Sequence, residues 1–313
     1  MNRFLINLKL PLLAILLFFL FQVVASFSVV LIQAVVNGRS LLDSFVANVL
    51  DVSTMGIVSV LANVLIAVSC LFLFRRNRYT EKISLPPPAP LPQSLLAFVA
   101  CIAATIALDL LSELMALPNI VEDQMIAMCR NPWGILAIAI GAPLGEEVMF
   151  RWGIMGHMLR RHSGVALSVI VSSLLFGVAH MNPAQVFFAA AMGVMLGILY
   201  YRSGSLLLPL LLHALNNSLA CVQVWMLGDR IKEFSLVETI GGNVMAWYAI
   251  GLLLMLSISI LWWYVENGKR MSGEWFDSPP IPLQKRGVVT AFLRNYLLCY
   301  LVLCPYTLNS KQI

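Results

Sequence analysis

Long apolar runs separated by short polar or basic clusters fill most of the chain, and the length of those runs decides the fold class. A helix needs about 20 apolar residues, range about 17–25, to cross the hydrocarbon core of a bilayer. Eight stretches qualify: Leu10–Val36, Thr54–Phe74, Leu91–Leu117, Trp133–Leu159, Gly164–Met181, Pro183–Tyr201, Ser205–Leu227 and Asn243–Val265. The predicted fold is all-α, a polytopic membrane protein of about eight transmembrane helices. The first run outlasts the roughly 7–15-residue core of a signal peptide, so an uncleaved helix is expected. Ile83–Gln93 holds Pro86, Pro87, Pro88, Pro90 and Pro92, which predicts a stiff extended connector between spans two and three. Past Val265 the chain turns polar, then apolar again over Val288–Leu308 around Arg294 and Asn295. A central arginine is expensive in lipid, so an interfacial helix is expected there. The organisation is thus a transmembrane domain over 1–266 and a polar tail over 267–313.

Composition agrees. Of 313 residues, 60% are hydrophobic and 11% charged, against about 25% charged in a soluble domain. Such a chain lacks the polar surface to cover itself in water, which excludes a soluble enzyme, a disordered tail and a nucleic-acid binder. The net charge of +5 is not a nucleic-acid signal, because the basic residues sit in the connections between apolar runs. With the N-terminus inside, thirteen Lys and Arg fall on the inner side, among them Arg3, Arg75, Arg76, Arg160, Arg161 and Arg202. The outer connections hold four: Arg39, Arg130, Arg230 and Lys232. That asymmetry places both ends of the helical core in the cytoplasm, and the compact chain without a transit peptide fits a bacterial plasma membrane. The six cysteines (Cys70, Cys101, Cys129, Cys221, Cys299, Cys304) are scattered without a CxxC pair and read as apolar fillers.

Ionisable side chains inside a span are costly and are functional candidates by default. They are few: Asp109 and Glu113 in span three, Glu146, Glu147 and Arg151 in span four, His180 in span five, and His213 with Asn216 and Asn217 in span seven. Asp109 and Glu113 share a face near the outer end and read as carboxylates reaching for the interface. At about 1.5 Å per residue, Glu146, His180 and His213 all fall in the middle to outer part of the core, where one buried cavity can contain them. Glu147 and Arg151, four apart with the acid first, suit an ion pair on one face. Glu146 points about 100° away and is free to meet a different neighbour. Phe176 lies four residues before His180, and His213 four before Asn217, so each pair shares a face. A carboxylate, two imidazoles and a carboxamide supply a base and donors for hydrolysis. Gly141 to Gly145 and Gly193 to Gly197 are small-xxx-small patterns that let helices approach, and Pro143 frees backbone carbonyls that another helix or water must satisfy. His157 and His162, beside Arg160 and Arg161, read as solvated loop histidines.

The segments Glu146-Glu147-Val-Met-Phe-Arg151, Phe176-Gly-Val-Ala-His180 and His213-Ala-Leu-Asn-Asn217 resemble the EExxxR, FxxxH and HxxxN motifs of the CAAX protease and bacteriocin-processing (Abi) family. The match is close over about residues 133–219. The resemblance implies an intramembrane endopeptidase, a hydrolase acting on a lipidated or membrane-associated protein or peptide. It implies that Glu146 activates the hydrolytic water with help from His180, that His213 and Asn217 bind the oxyanion, and that Glu147, Arg151 and Phe176 support them. No cofactor is expected. The family has also been described as metalloproteases, and the alternative is a Zn²⁺ held by Glu146, His180 and His213, although no HExxH motif is present. Competing functions are a non-catalytic peptide binder, such as a bacteriocin-immunity protein, and a proton-coupled transporter, which lacks the support of an internal repeat.

Overall fold

The computed structural model describes residues 3–38, 40–75, 91–161 and 163–267. Most of the proline-rich connector, His162 and the tail with its expected helix over 288–308 lie outside the described residues. Eleven helices and one 3₁₀ turn make up what is described, with no strand among the described residues. They are α1 (Arg3–Asn37), α2 (Leu41–Leu50), α3 (Val52–Arg75), α4 (Leu91–Leu114), α5 (Glu122–Cys129), α6 (Pro132–Arg160), α7 (Val165–Ala179), α8 (Pro183–Ser203), α9 (Leu207–Leu227), the 3₁₀ turn Gly228–Lys232, α10 (Leu236–Thr239) and α11 (Asn243–Asn267).

The chain is an integral, multi-pass membrane protein. Seven of these helices are long and apolar enough to cross: α1, α3, α4, α6, α8, α9 and α11. The eighth expected span is α7, and its 15 residues cover only about 22 Å at 1.5 Å per residue. Its ends are fixed by backbone geometry. Gly164 precedes it at φ +86°, and Met181 at φ +49° breaks the chain before Pro183 opens α8. Even so, α7 runs from one end of the bundle to the other. The connections after α1, α4, α7 and α9 meet at one end: Asn131 Nδ2 donates to Ser53 Oγ (2.9 Å), Asn182 Nδ2 to Asn119 Oδ1 (2.8 Å), and Arg130 pairs with Asp229 (3.1 Å). At the opposite end the ring of Phe74 packs against those of Trp152 and His157. Seven helices are thus long enough to span, and α7 is a shorter apolar helix that lies along them.

The end with few basic residues carries short helices that the apolar pattern did not announce. Glu113 does more than reach for the interface: it accepts from the backbone N–H of Leu236 (3.0 Å) and from the Ser235 hydroxyl, capping α10. At the start of α3 the Thr54 N–H and hydroxyl both donate to Asp51, which holds that carboxyl below the usual carboxylate range. The connector between spans two and three is shorter than expected, because Leu91, Pro92 and Gln93 already form the first turn of α4, where a missing proline N–H costs nothing.

Helix α6 is the centre. Its most apolar stretch is 61% buried, against 17–44% in the other six long helices. Val148, Met149, Phe150, Trp152, Ile154, Met155 and Met158 pack with Phe18 of α1, Phe74 of α3, Phe176 of α7 and Tyr200 of α8. Both small-residue patterns lie at close contacts. A Cβ on Gly145 would sit 2.6 Å from Asn63 Oδ1 and 3.0 Å from the Asn63 carbonyl oxygen, whereas one on Gly141 would meet Val60 at 3.7 Å. Gly193 and Gly197 hold α8 against Ser173 and Val169 of α7. Gly145→Ala is therefore expected to destabilise by about 1–3 kcal/mol through overpacking, while Gly141→Ala should be neutral or stabilising because alanine favours the helix. Thermal midpoints of the two variants in detergent, compared with wild type, check the difference.

Candidate active site

The site begins with a proline. Within α6 the residues Ala137–Gly141 form a π-helical stretch in which the Ala142 N–H bonds to the Ala137 carbonyl, five residues back. The next bond in that register would run from residue 143 to Ile138, and Pro143 has no N–H to give. The orphaned Ile138 carbonyl takes its hydrogen bond from Asn217 Nδ2 of α9 at 3.0 Å. Helix–helix contact thus supplies what the proline removed. A second π-helical stretch, Glu147–Met155, follows at once, so Glu146 and Glu147 stand on either side of a change in helical register. Insertions of this kind are frequent at functional sites.

Glu147 and Arg151 are 0% and 1% exposed, with Arg151 Nη1 2.9 Å from Glu147 Oε1. The same carboxylate oxygen lies 2.9 Å from His213 Nδ1. A carboxylate only accepts, so Nδ1 carries the proton of that bond. This orients the ring so that His213 Nε2 faces Glu146 Oε2 at 3.7 Å. Glu146 is free of the Arg151 pair, yet His213 spans both carboxylates, so the two acids share one imidazole. The Glu146 Oε2, Glu147 Oε2 and Arg151 Nη2 atoms are buried and make no hydrogen bond within the protein.

Phe176 holds these groups together. Its face lies 4.3 Å from the Arg151 guanidinium carbon, a cation–π contact worth about 2 kcal/mol when desolvated. The ring also meets the imidazoles of His180 and His213 edge to face, at 5.0 and 5.6 Å between centroids. His180 Nδ1 lies 2.9 Å from the Phe176 carbonyl oxygen. That oxygen accepts, so Nδ1 donates and Nε2 of a neutral His180 keeps its lone pair.

Glu146, Glu147, Arg151, Phe176, His180 and His213 thus form one linked set, and Asn217 joins it through α6. Among the described residues, the imidazole within 4 Å of Glu146 belongs to His213 rather than His180. Also among the described residues, no three His, Cys, Asp or Glu side chains come together as metal ligands, Glu146, His180 and His213 included. The zinc arrangement therefore does not fit this geometry. His157 is no solvated loop residue: it is 1% exposed in α6 and packs on Phe74.

One polar neighbour, Thr105, escaped the sequence reading, and it reaches the site through Asn216. Thr105 of α4 donates from Oγ1 to Asn216 Oδ1 (3.1 Å), and Asn216 Nδ2 donates to Asn217 Oδ1 (3.4 Å). A chain of amides therefore runs from α4 through α9 to Ile138. Asn216 was visible as a polar residue within a span, but nothing in the sequence tied it to Thr105, 111 positions away.

All three motif segments converge on α6, and the comparisons with known proteins cover the same part of the chain. Residues 129–219 match the family of type II CAAX prenyl endopeptidases, Rce1-like. The matched segment contains every residue of the site except Thr105. Among curated proteins, an uncharacterized 24.3 kDa protein of Escherichia coli is 39% identical over 84 residues, 25% of this chain and 38% of its own. YdiL of Bacillus subtilis, named as a candidate membrane peptidase, is 26% identical over 91 residues, 29% of this chain and 37% of its own. The membrane-embedded CAAX protease MroQ of Staphylococcus aureus is 27% identical over 122 residues, 37% of this chain and 49% of its own. The chain thus spans less than half the length of each of these relatives. No solved structure matches.

Removing one partner of a buried ion pair strands the other, at a cost of about 3–5 kcal/mol. Arg151→Met is expected to lower stability by that amount, and the double variant Glu147→Gln/Arg151→Met to recover much of it, since neither charge then remains. Thermal denaturation of the purified variants measures both.

Proposed function

We propose that this protein is an intramembrane endopeptidase that hydrolyses a peptide bond of a lipidated or membrane-associated protein or peptide, using a water activated by Glu146. The observation that carries this reading is the Glu146 carboxylate, whose buried oxygen is unbonded beside an imidazole held in place by a second carboxylate. The Rce1-like match and the protease name of MroQ support the same class of reaction.

In this proposal the water lies between Glu146 and His180. Glu146 takes the proton as the oxygen attacks the carbonyl carbon, and the lone pair on His180 Nε2 accepts the second hydrogen bond of the water. Attack turns the carbonyl oxygen into an oxyanion. Protonated His213, with Nδ1–H bound to Glu147, offers its Nε2–H to that oxyanion. Asn217 spends one amide N–H on Ile138 and has a second to offer. Collapse of the intermediate expels the amine, which recovers the proton from Glu146. Preformed donors of this kind stabilise developing charge most where water is scarce. Glu147, Arg151 and Phe176 hold the ring of His213 and act as positioning residues. We place the N-terminus in the cytoplasm of a bacterial plasma membrane, from the basic bias of the connections.

The test is cleavage by purified full-length protein offered prenylated CAAX-type peptides and unmodified membrane peptides. Glu146→Gln and His180→Ala are each expected to lose at least about 100-fold in kcat/KM, the usual contribution of a general base. Cleavage that survives both changes, or wild-type binding without any cleavage, overturns the reading. Activity should persist in a metal-stripped sample; loss with chelator and recovery with zinc would contradict a water held by protein groups alone.

Thr105→Val removes the far end of the amide chain without touching substrate. The expected outcome is a fall in kcat of about tenfold, milder than the 10²–10³ of deleting an oxyanion donor, with KM unchanged. Steady-state kinetics on the same peptides give both constants.

A further inference from the structure

The Sγ atoms of Cys129 and Cys221 lie 2.9 Å apart, although the residues are 92 positions apart in the chain. That is within about 1 Å of an S–S bond, about 2.04 Å long. Read along the chain, the two cysteines are unrelated fillers. In the fold they are the facing members of an apolar cluster made by Met128 and Cys129 of α5, Ala137 and Ile138 of α6, and Cys221 and Val224 of α9. Both are buried, and both are unbridged thiols here.

We propose that Cys129 and Cys221 are a disulfide-forming pair that locks α5 to α9. Three observations besides the distance point there. First, the pair sits at the end of the bundle with few basic residues, where the connections carrying Arg130, Asp229, Asp123 and Lys232 meet, and the charge bias puts that end outside the cytoplasm, where disulfides persist. Second, a cleft of about 420 Å³ opens at this end, and two of its walls, Ile126 and Ile231, also pack against the cluster that encloses the sulfurs. An oxidant held in that cleft therefore lies against the outer side of the cluster that contains the pair. Third, Cys221 continues the face of α9 that carries His213 and Asn217, each four residues from the next, while Cys129 stands three residues before Pro132, where α6 begins. The bond therefore closes a loop that contains Glu146, His180, His213 and Asn217, and fixes α9 against the start of α6, close to where Asn217 meets Ile138.

The chemistry is thiol–disulfide exchange with a disulfide oxidant, a small molecule or a dithiol oxidase. One thiolate attacks the oxidant to form a mixed disulfide and expel a thiol. The second thiolate then displaces the remaining oxidant sulfur. Both cysteines lose their protons and one electron each, and the oxidant disulfide is reduced to two thiols. The inference does not depend on the proposed peptidase activity.

Full-length protein in detergent is reduced, freed of reductant, incubated with glutathione disulfide, blocked with N-ethylmaleimide and digested without reductant for mass spectrometry. The expected product in most chains is a peptide pair joined through Cys129 and Cys221, released by reductant, with a thermal midpoint several degrees above that of the reduced protein. In Cys129→Ala the linked pair should vanish, Cys221 should carry maleimide, and the midpoint should no longer respond to oxidant. Recovery of Cys129 and Cys221 as maleimide adducts after oxidation, or their linkage to other cysteines, overturns the proposal.

Discussion

Arg151 carries a full positive charge at 1% exposure, and the architecture around it follows from what keeps such a charge inside a bilayer. Water cannot solvate it there, and a lone charge in a low-dielectric interior costs several kcal/mol even after relaxation. The protein answers with a carboxylate, Glu147, one helical step away and with an aromatic face, Phe176, from a neighbouring helix. Both partners have further tasks. Glu147 orients His213, and Phe176 packs on His180 and His213. The ion pair that stabilises the centre of the bundle therefore also sets the imidazole beside Glu146.

A second constraint acts on the backbone. Every carbonyl at membrane depth needs a donor, and Pro143 removes one. The π-helical stretches of α6 and the amide of Asn217 are the local answer, and they bring α9 against α6 about two turns before the two glutamates. Packing makes this contact possible: glycines at 145 and 193 remove the side chains that would hold α3 and α7 away. Stability and the candidate chemistry are thus built from the same contacts, which is why the most buried helix also carries the paired acids.

Much of this was legible in the sequence. Apolar run length identified the seven long helices, and the alternation of basic connections matched the two ends that the contacts define. Spacing alone paired Glu147 with Arg151, because i, i+4 partners share a face whatever surrounds them. Other features depend on contacts between distant residues and leave no local trace. The single imidazole between Glu146 and Glu147 required α9 to dock in one rotation. The Thr105–Asn216–Asn217 chain and the Cys129–Cys221 contact join residues about a hundred positions apart. His157 was misread because its basic neighbours looked like a solvated loop, whereas α6 continues to Arg160 and turns that ring onto Phe74. The short length of α7 was hidden too, since apolar residues extend beyond the turn at Met181.

In the proposed mechanism Glu146 activates a water that itself attacks the peptide carbonyl, rather than attacking as a nucleophile. A single turnover in ¹⁸O-labelled water, with enzyme in excess over a cleavable peptide, tests this directly. One ¹⁸O atom is expected in the new carboxylate of the product on the first turnover, and none in Glu146. Unlabelled product, with ¹⁸O appearing in the Glu146 side chain, would contradict this mechanism.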